Sequence, residues 1–77
     1  MVIAFVLITT KPGAEKEVYD SLKNIPEVTE LHPIFGEYDL IIKLNSDNAD
    51  NIGELVVQKI RVLDGITDTK TFIGIKL

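Results

Sequence analysis

The sequence predicts one α+β domain in which strands and helices follow the order βαββαβ. Four short segments rich in β-branched and aromatic residues predict the strands, and two segments with apolar residues at helical spacing predict the helices. The apolar positions of the second helix repeat the spacing of the first, so the chain carries a βαβ pattern twice. A chain of 77 residues has room for a single hydrophobic core, and we expect residues 1–77 to form one domain.

The first strand is predicted over residues 2–8, an unbroken apolar run that is followed by the breaker Pro12-Gly13. Such a run indicates a strand that is buried on both faces. The first helix comes next, with Thr10 as its expected N-cap. Pro26 is expected to end the helix, because the residue before a proline is disfavoured in the helical region. The apolar stripe of this helix comprises Ala14, Val18, Leu22 and Ile25.

Two strands flank a short turn near the centre of the chain. Residues 28–34 predict the second strand, and residues 40–44 predict the third. Pro33 cannot donate a ladder hydrogen bond, so we expect the second strand at an edge of the sheet. Between the two strands, the segment Phe35-Gly36-Glu37-Tyr38-Asp39 contains the glycine that a tight connection favours.

The second helix and the last strand complete the pattern. Asp47, Asn48 or Asp50 is the expected N-cap of this helix, and Gly65 marks its end. Residues 66–77 predict the fourth strand, in which threonine and isoleucine alternate with a mostly polar set. The apolar stripe of the second helix comprises Ile52, Val56, Ile60 and Leu63.

Two interleaved βαβ halves give a four-stranded antiparallel sheet in the ferredoxin-like arrangement, with both helices on one face and the second and fourth strands at the edges. Two helices cover only one face, yet the first strand is apolar at both parities, since Ile3, Phe5 and Leu7 alternate with Val6 and Ile8. Soluble monomers rarely expose a large contiguous apolar patch. We therefore expect a homodimer formed through the open face of the sheet.

Composition narrows the possible classes of function. The formal net charge of −4, from 12 acidic and 8 basic residues, argues against direct nucleic-acid binding, which depends on neutralising phosphates. Cysteine is absent, so disulfides and thiolate metal sites are excluded. No apolar run approaches the roughly 18 residues of a membrane span, and no basic signal region follows Met1. We expect a cytoplasmic protein with no membrane partner.

Residues that usually carry catalysis are scarce. His32 is the single histidine, and metal ligation by carboxylates alone would lack the usual spacing. Ser21 and Ser46 have no histidine nearby in the sequence and no nucleophile-elbow motif, and the chain has no glycine-rich phosphate loop. We predict no catalytic residue, no metal site, no cofactor and no enzymatic activity.

The segment around Gly36 is the best candidate for a binding site. Glycine permits positive φ and close backbone approach, so exposed N–H groups there could hold a carboxylate. Asp39 is an acceptor for an ammonium group, and Tyr38 can cover an aliphatic side chain or donate its hydroxyl. Together these groups complement an α-amino acid. In the alternative interpretation, Gly36 and Asp39 supply only turn chemistry and Tyr38 packs locally. The residues alone leave both interpretations open.

The run Gly36-Glu37-Tyr38-Asp39-Leu40, with Pro26-Glu27-Val28 before it and Asp64-Gly65-Ile66 after it, resembles the effector domain of the Lrp/AsnC family of transcription regulators. That domain is called RAM, for regulation of amino acid metabolism, and the resemblance covers essentially the whole chain. It implies dimers that form through facing sheets and associate further, often into octamers.

The same resemblance implies which residues bind the ligand. In similar domains, amino acid effectors lie near contacts between dimers, around the turn that matches Gly36, Tyr38 and Asp39. Thr69 and Thr71 are further candidate contacts, on the ground of their position on the last strand alone. Regulators of this family carry a helix-turn-helix before the first strand, whereas here that strand follows Met1 directly.

We therefore expect a stand-alone RAM domain that senses an amino acid, or co-assembles with full-length Lrp/AsnC regulators, without reading DNA by itself. Two alternatives remain. One is a small dimeric ferredoxin-like enzyme of the monooxygenase or isomerase type, which would need a cavity lined by polar groups. The other is a structural partner subunit that binds no ligand.

Overall fold

A computed structural model describes residues 1–77 and confirms the predicted order of strands and helices. Two of the strands, the first and the third, run two residues further than predicted. The strands are β1 (Val2–Thr10), β2 (Val28–Pro33), β3 (Leu40–Ser46) and β4 (Ile66–Ile73), and the helices are α1 (Glu15–Lys23) and α2 (Ala49–Leu55), which continues as a π-helical segment (Val56–Ile60).

The four strands form one antiparallel sheet in the order β2-β3-β1-β4. Strands β2 and β4 are therefore the edges, as predicted, and Pro33 pairs with Leu40 from the β2 edge. An edge strand tolerates proline because one of its sides has no ladder to complete. The ferredoxin-like arrangement predicted from the sequence pattern is confirmed.

One face of the sheet carries the core. In β1, Ala4, Val6 and Ile8 are fully buried, and each pairs with a buried residue of β3. Burying an aliphatic side chain of the size of valine or isoleucine contributes about 1.5–3 kcal/mol. The rest of the core comprises Leu40, Ile42 and Leu44 of β3, Val18 and Leu22 of α1, Ile52 and Leu55 of α2, and Val56 and Ile60 of the π-helical segment.

The start of α1 differs from the prediction. Ala14 occupies the N-cap position without a side-chain capping bond, so the assignment of Thr10 as the cap was wrong. Thr10 instead belongs to β1, where its side chain bonds to Asp39 of a distant segment. The helix ends at Lys23, ahead of Pro26, in agreement with the restriction that proline imposes on the preceding residue.

Asn48 is the N-cap of α2, since its Oδ1 accepts the Asn51 N–H at 2.8 Å, and it was one of the three predicted candidates. The helix then widens, and the Arg61 N–H donates to the Val56 carbonyl at 2.8 Å. This i→i+5 bond adds a residue to the turn, and Val56 and Ile60 are both buried in the core. The sequence pattern did not predict the wider turn. Neither helix is long and apolar enough to cross a membrane.

Strand β4 ends at Ile73, so its predicted extension to Leu77 was wrong. Its only neighbour is β1, and the last ladder pair joins Ile73 to Ala4. The Gly74 N–H still donates to the Ile3 carbonyl at 2.7 Å. Beyond that point the chain forms no further ladder pair, although β1 itself extends to Val2.

The second face of the sheet carries no helix and is apolar at its centre. Phe5 of β1 pairs with Phe72 of β4, and these residues are 42% and 55% exposed. Leu7 lies between Ile41 of β3 and Lys70 of β4. We call the surface formed by Ile3, Phe5, Leu7, Ile41 and Phe72 the open face.

Three glycines have a positive φ that disfavours other residues, and two of them lie immediately before or between strands. Gly36, between β2 and β3, has φ of +147°, and Gly65, before β4, has φ of +96°. A Cβ on Gly36 would meet no atom within 4 Å, so the backbone angle alone favours glycine there. A Cβ on Gly65 would lie 2.9 Å from the Cβ of Ala14, so packing adds a second restriction at that position.

Replacing Gly36 by alanine is expected to destabilise the fold by about 1–3 kcal/mol, the usual cost of a non-glycine residue in a disfavoured backbone region. Gly53→Ala is the matched control, because Gly53 lies inside α2 and a Cβ there would also meet no atom within 4 Å. It should stabilise the protein by up to about 1 kcal/mol through helix propensity. Denaturant unfolding at one fixed protein concentration measures both. Equal effects of the two substitutions would contradict the explanation.

The Glu27 carboxylate accepts two hydrogen bonds from Lys59 Nζ, at 3.3 and 3.1 Å, and joins the start of β2 to the π-helical segment. A backbone hydrogen bond at Glu27, together with the Lys59 ammonium, lowers the pKa of this carboxyl group. Because the folded-state pKa is depressed, the resulting stabilisation is present above the unfolded-state pKa of about 4.3 and is lost as the pH falls through the folded-state value.

Lys59→Met should therefore raise the pKa of Glu27. The free energy of unfolding should then decrease less steeply as the pH falls. A pH titration of the Glu27 side-chain carbon by NMR measures the first effect, and acid unfolding measures the second. Lys16→Met is the control, since Lys16 pairs with Asp20 on the exposed side of α1. A Glu27 titration curve that is unchanged in Lys59→Met would refute this role of the lysine.

Candidate functional site

The turn between β2 and β3, residues 34–39, lies at the end of the sheet where β1 leaves it; we call it the Gly36 turn. The Ile34 N–H donates to the Asp39 carbonyl, and the Asp39 N–H donates to the Ile8 carbonyl, both at 2.9 Å. Between these anchors, the N–H groups of residues 35–38 donate to no group of the chain. Unpaired N–H groups in a turn are donors that an anion such as a carboxylate can meet.

Asp39 is more constrained than the sequence predicted. Its Oδ2 accepts the Thr10 N–H at 2.8 Å and the Thr10 hydroxyl at 3.2 Å. Its Oδ1 makes no hydrogen bond within the chain. Asp39 is half-buried, and Thr10 is only 8% exposed. One carboxylate oxygen is thus occupied by the protein, and the other remains available.

Tyr38 is half-buried beside a cation that the sequence did not single out. Lys70 Nζ lies 5.9 Å from the centre of the Tyr38 ring, within the range of a cation–π interaction. The Tyr38 side chain, assisted by the nearby carboxylates of Glu37 and Asp68, raises the pKa of the Lys70 ammonium. The lysine is therefore protonated at neutral pH and stands next to the Gly36 turn.

The two threonines predicted on β4 do not contact the Gly36 turn within one chain. Thr69 pairs with Ile8 and Thr71 pairs with Val6, so both side chains point to the helix side of the sheet. Neither hydroxyl makes a hydrogen bond to the turn. Thr69 is half-buried at the end of the sheet nearer the turn, whereas Thr71 is exposed and lies further along β4.

The structure therefore brings together Gly36, Tyr38 and Asp39 among the predicted residues, and adds Thr10 and Lys70. Sequence patterns could not find the added pair, because Thr10 is 29 residues from Asp39 along the chain and Lys70 is on a different strand. Local signals in the sequence favoured a helix cap for Thr10 and did not single out Lys70.

A separate polar cleft of about 410 Å³ opens at the other end of the sheet. Leu55 is its single apolar residue, and the Glu27–Lys59 pair lies on its wall. Small-molecule sites are usually lined mainly by apolar groups, and this cleft lacks such a lining. It contains no residue of the Gly36 turn. No group of three or more His, Asp and Glu side chains is placed to hold a metal ion.

Sequence comparison identifies the family of this fold. The family model described as the Lrp/AsnC ligand binding domain matches residues 3–76. An uncharacterized HTH-type transcriptional regulator of Pyrococcus furiosus is 37% identical over 74 residues, which cover 92% of this chain and 49% of the relative. The chain thus spans about half the length of the curated relatives that it matches.

Solved structures agree with the family match. The crystal structure of FFRP-DM1 is 41% identical with a TM-score of 0.93, and the match covers 97% of this chain and 100% of that one. A transcriptional regulator of Neisseria meningitidis in complex with L-Met shares the fold at 18% identity, with a TM-score of 0.87 over 97% of this chain and 50% of the regulator. The resemblance predicted from the segment around Gly36 is confirmed, and the chain belongs to the Lrp/AsnC ligand-binding domain family.

Proposed function

We propose that the chain is a non-enzymatic domain that binds an amino acid effector and forms oligomers in cytoplasmic transcription regulation. The family match over residues 3–76 carries this proposal, because the matched family is a ligand-binding domain and the Pyrococcus furiosus relative is an HTH-type transcriptional regulator. The complex of the Neisseria meningitidis regulator with L-Met supports amino acids as the effector class.

The chemistry of the Gly36 turn supports the same ligand class. Its unpaired N–H groups suit the carboxylate of an α-amino acid, and the Tyr38 ring offers an apolar surface for an aliphatic side chain. The protonated Lys70 beside Tyr38 adds a positive charge next to the turn, where it can meet the same carboxylate.

Thr69 and Thr71 enter the proposal as contacts supplied by a neighbouring copy. Their hydroxyls have no hydrogen-bond partner in the chain, and β4 is an edge strand that a second molecule can approach. In the proposed assembly, these threonines face a ligand that is held by the Gly36 turn of another protomer.

The proposed assembly starts from a homodimer through the open face and continues to an oligomer of dimers. Phe5 and Phe72 form an adjacent pair of partly exposed aromatic residues on that face. A domain of this size buries only about 60% of the surface that its unfolded chain exposes, so covering the open face would stabilise it. Full-length Lrp/AsnC regulators, which carry the same domain type, are the proposed partners for mixed assembly.

The composition of the interior disfavours an enzyme of the ferredoxin-like type. Such an enzyme needs polar groups in an internal cavity, but the buried side chains between sheet and helices are aliphatic. Thr10 is the one buried polar residue, and its hydroxyl bonds to Asp39. The interior therefore supports a binding domain rather than a catalyst.

Isothermal titration of the wild-type protein with a panel of amino acids, including methionine, tests the binding function. We expect saturable heat for at least one amino acid. Tyr38→Ala should weaken binding by about twofold to tenfold, which corresponds to the roughly 0.5–1.5 kcal/mol of an aromatic contact. Tyr19→Ala is the matched control, because Tyr19 also lies near a lysine, 5.1 Å from Lys23 Nζ, but on α1.

Equal losses in the two tyrosine variants would assign the effect to general destabilisation. No heat above dilution for any amino acid, with a correctly assembled wild-type oligomer, would remove the sensing function. If the oligomeric state were also unchanged across the whole panel, the structural-subunit alternative would replace it.

Sedimentation at micromolar concentration tests the dimer. The wild-type protein is expected to sediment as a dimer or larger, and Phe5→Asp should shift it towards the monomer by placing a charge on the open face. Val62→Asp, which alters a 66% exposed apolar residue after the π-helical segment, should leave the oligomeric state unchanged. Circular dichroism verifies that both variants fold. A monomeric wild-type protein would contradict the proposed interface.

A further inference from the structure

We propose that Asp39 and Thr10 form a positioning pair that holds the Gly36 turn in its binding conformation, with Asp39 acting through its hydrogen bonds rather than through its charge on the ligand. This inference rests on the proposed function, because it assigns a role within the proposed effector site. It adds Thr10, a residue of the first strand, to the machinery of that site.

The polar groups of Asp39 are almost fully used to join three strands. Its N–H donates to the Ile8 carbonyl of β1, and its carbonyl accepts the Ile34 N–H that follows β2, both at 2.9 Å. Its Oδ2 receives two hydrogen bonds from Thr10, at 2.8 Å from the N–H and 3.2 Å from the hydroxyl. These bonds fix the position of Asp39. They therefore also fix the position of the preceding residue, Tyr38, at the base of the Gly36 turn.

Thr10 is placed to need such an acceptor. The ladder between β1 and β3 ends at the pair Ile8–Leu40, so the Thr10 N–H, which faces β3 as the Ile8 carbonyl does, donates to the Asp39 carboxylate instead of to a strand partner. Thr10 is also buried. A buried donor that loses its acceptor is costly, so Thr10 in turn favours the observed position of the Asp39 side chain.

The residue after Thr10 connects the Asp39–Thr10 pair to the start of β4 and to the helix layer. The next residue, Lys11, donates its N–H to the Gly65 carbonyl at 2.7 Å, and a Cβ on Gly65 would lie 2.9 Å from the Cβ of Ala14. The chain after β1 is thus attached on one side to the Gly36 turn and on the other to the start of β4. Loss of the Asp39–Thr10 hydrogen bonds would therefore detach the Gly36 turn from the end of β1, and it would do so without removing a group that contacts the ligand.

Four variants separate positioning from direct charge recognition. Asp39→Asn keeps a carbonyl oxygen that accepts both Thr10 bonds but removes the charge, whereas Asp39→Ala removes the acceptor. Thr10→Ser keeps both donors, whereas Thr10→Val removes the hydroxyl. Calorimetry with the amino acid that binds the wild-type protein gives the affinities, and amide hydrogen exchange at Thr10 and Ile34 in the free protein gives the order of the turn.

We expect Asp39→Asn and Thr10→Ser to bind within about threefold of the wild type. Thr10→Val should bind about threefold to tenfold more weakly, the range expected for one lost hydrogen bond, and Asp39→Ala, which loses two, should bind at least as weakly. Hydrogen exchange at Ile34 should be faster in the two weak binders and unchanged in the other two. If Asp39 acted through a direct charge contact with the ligand, Asp39→Asn would lose affinity as Asp39→Ala does. Retained affinity in Asp39→Asn therefore supports the positioning role.

Weakening of more than tenfold in Asp39→Asn, with exchange at Ile34 unchanged, would overturn the proposal and make Asp39 a direct ligand of the ammonium. If the wild-type protein binds no amino acid, the proposed function fails, and hydrogen exchange alone decides the positioning role. Unchanged exchange at Ile34 in both Asp39→Ala and Thr10→Val would then refute it.

Discussion

The two-sided pairing of β1 governs both the packing of the core and the position of the proposed site. β1 lies between β3 and β4, and its buried residues Ala4, Val6 and Ile8 meet the core residues of β3 on the helix side. The same strand is apolar on its other parity, at Phe5 and Leu7, where no helix covers it. A sheet with one covered face and one apolar open face favours a partner, which connects the folding of this small domain to its proposed assembly.

The proposed site depends on where β1 ends. At that end of the sheet, Ile8 accepts a hydrogen bond from Asp39, and Thr10 donates two more to the Asp39 carboxylate. The Gly36 turn is therefore held at its base, while the N–H groups of residues 35–38 remain unpaired. In the proposed function, a fixed base with open donors would order the turn before the ligand arrives and so lower the entropic cost of binding.

The two edge strands, β2 and β4, differ in what they offer to a second molecule. Pro33 lies on β2 and weakens that edge as a template for further pairing, since it offers no N–H. β4 carries hydroxyl side chains on the helix side of the sheet, at Thr69 and Thr71, and the charged Lys70 on the opposite side. This difference between the edges fits the proposed assembly, in which ligand contacts from a neighbouring copy come from β4.

Local patterns were sufficient to predict the order of the elements, the edge position of Pro33, the helical stripes and the family resemblance, because these follow from periodicity and from the segment around Gly36. Other features depend on tertiary contacts. Thr10 is a partner of Asp39 instead of a helix cap, β4 ends at Ile73 although β1 extends to Val2, and α2 widens into a π-helical turn. Each of these outcomes requires contacts between residues that are distant along the chain or the fit of a helix to the sheet, and a local pattern carries no information about either.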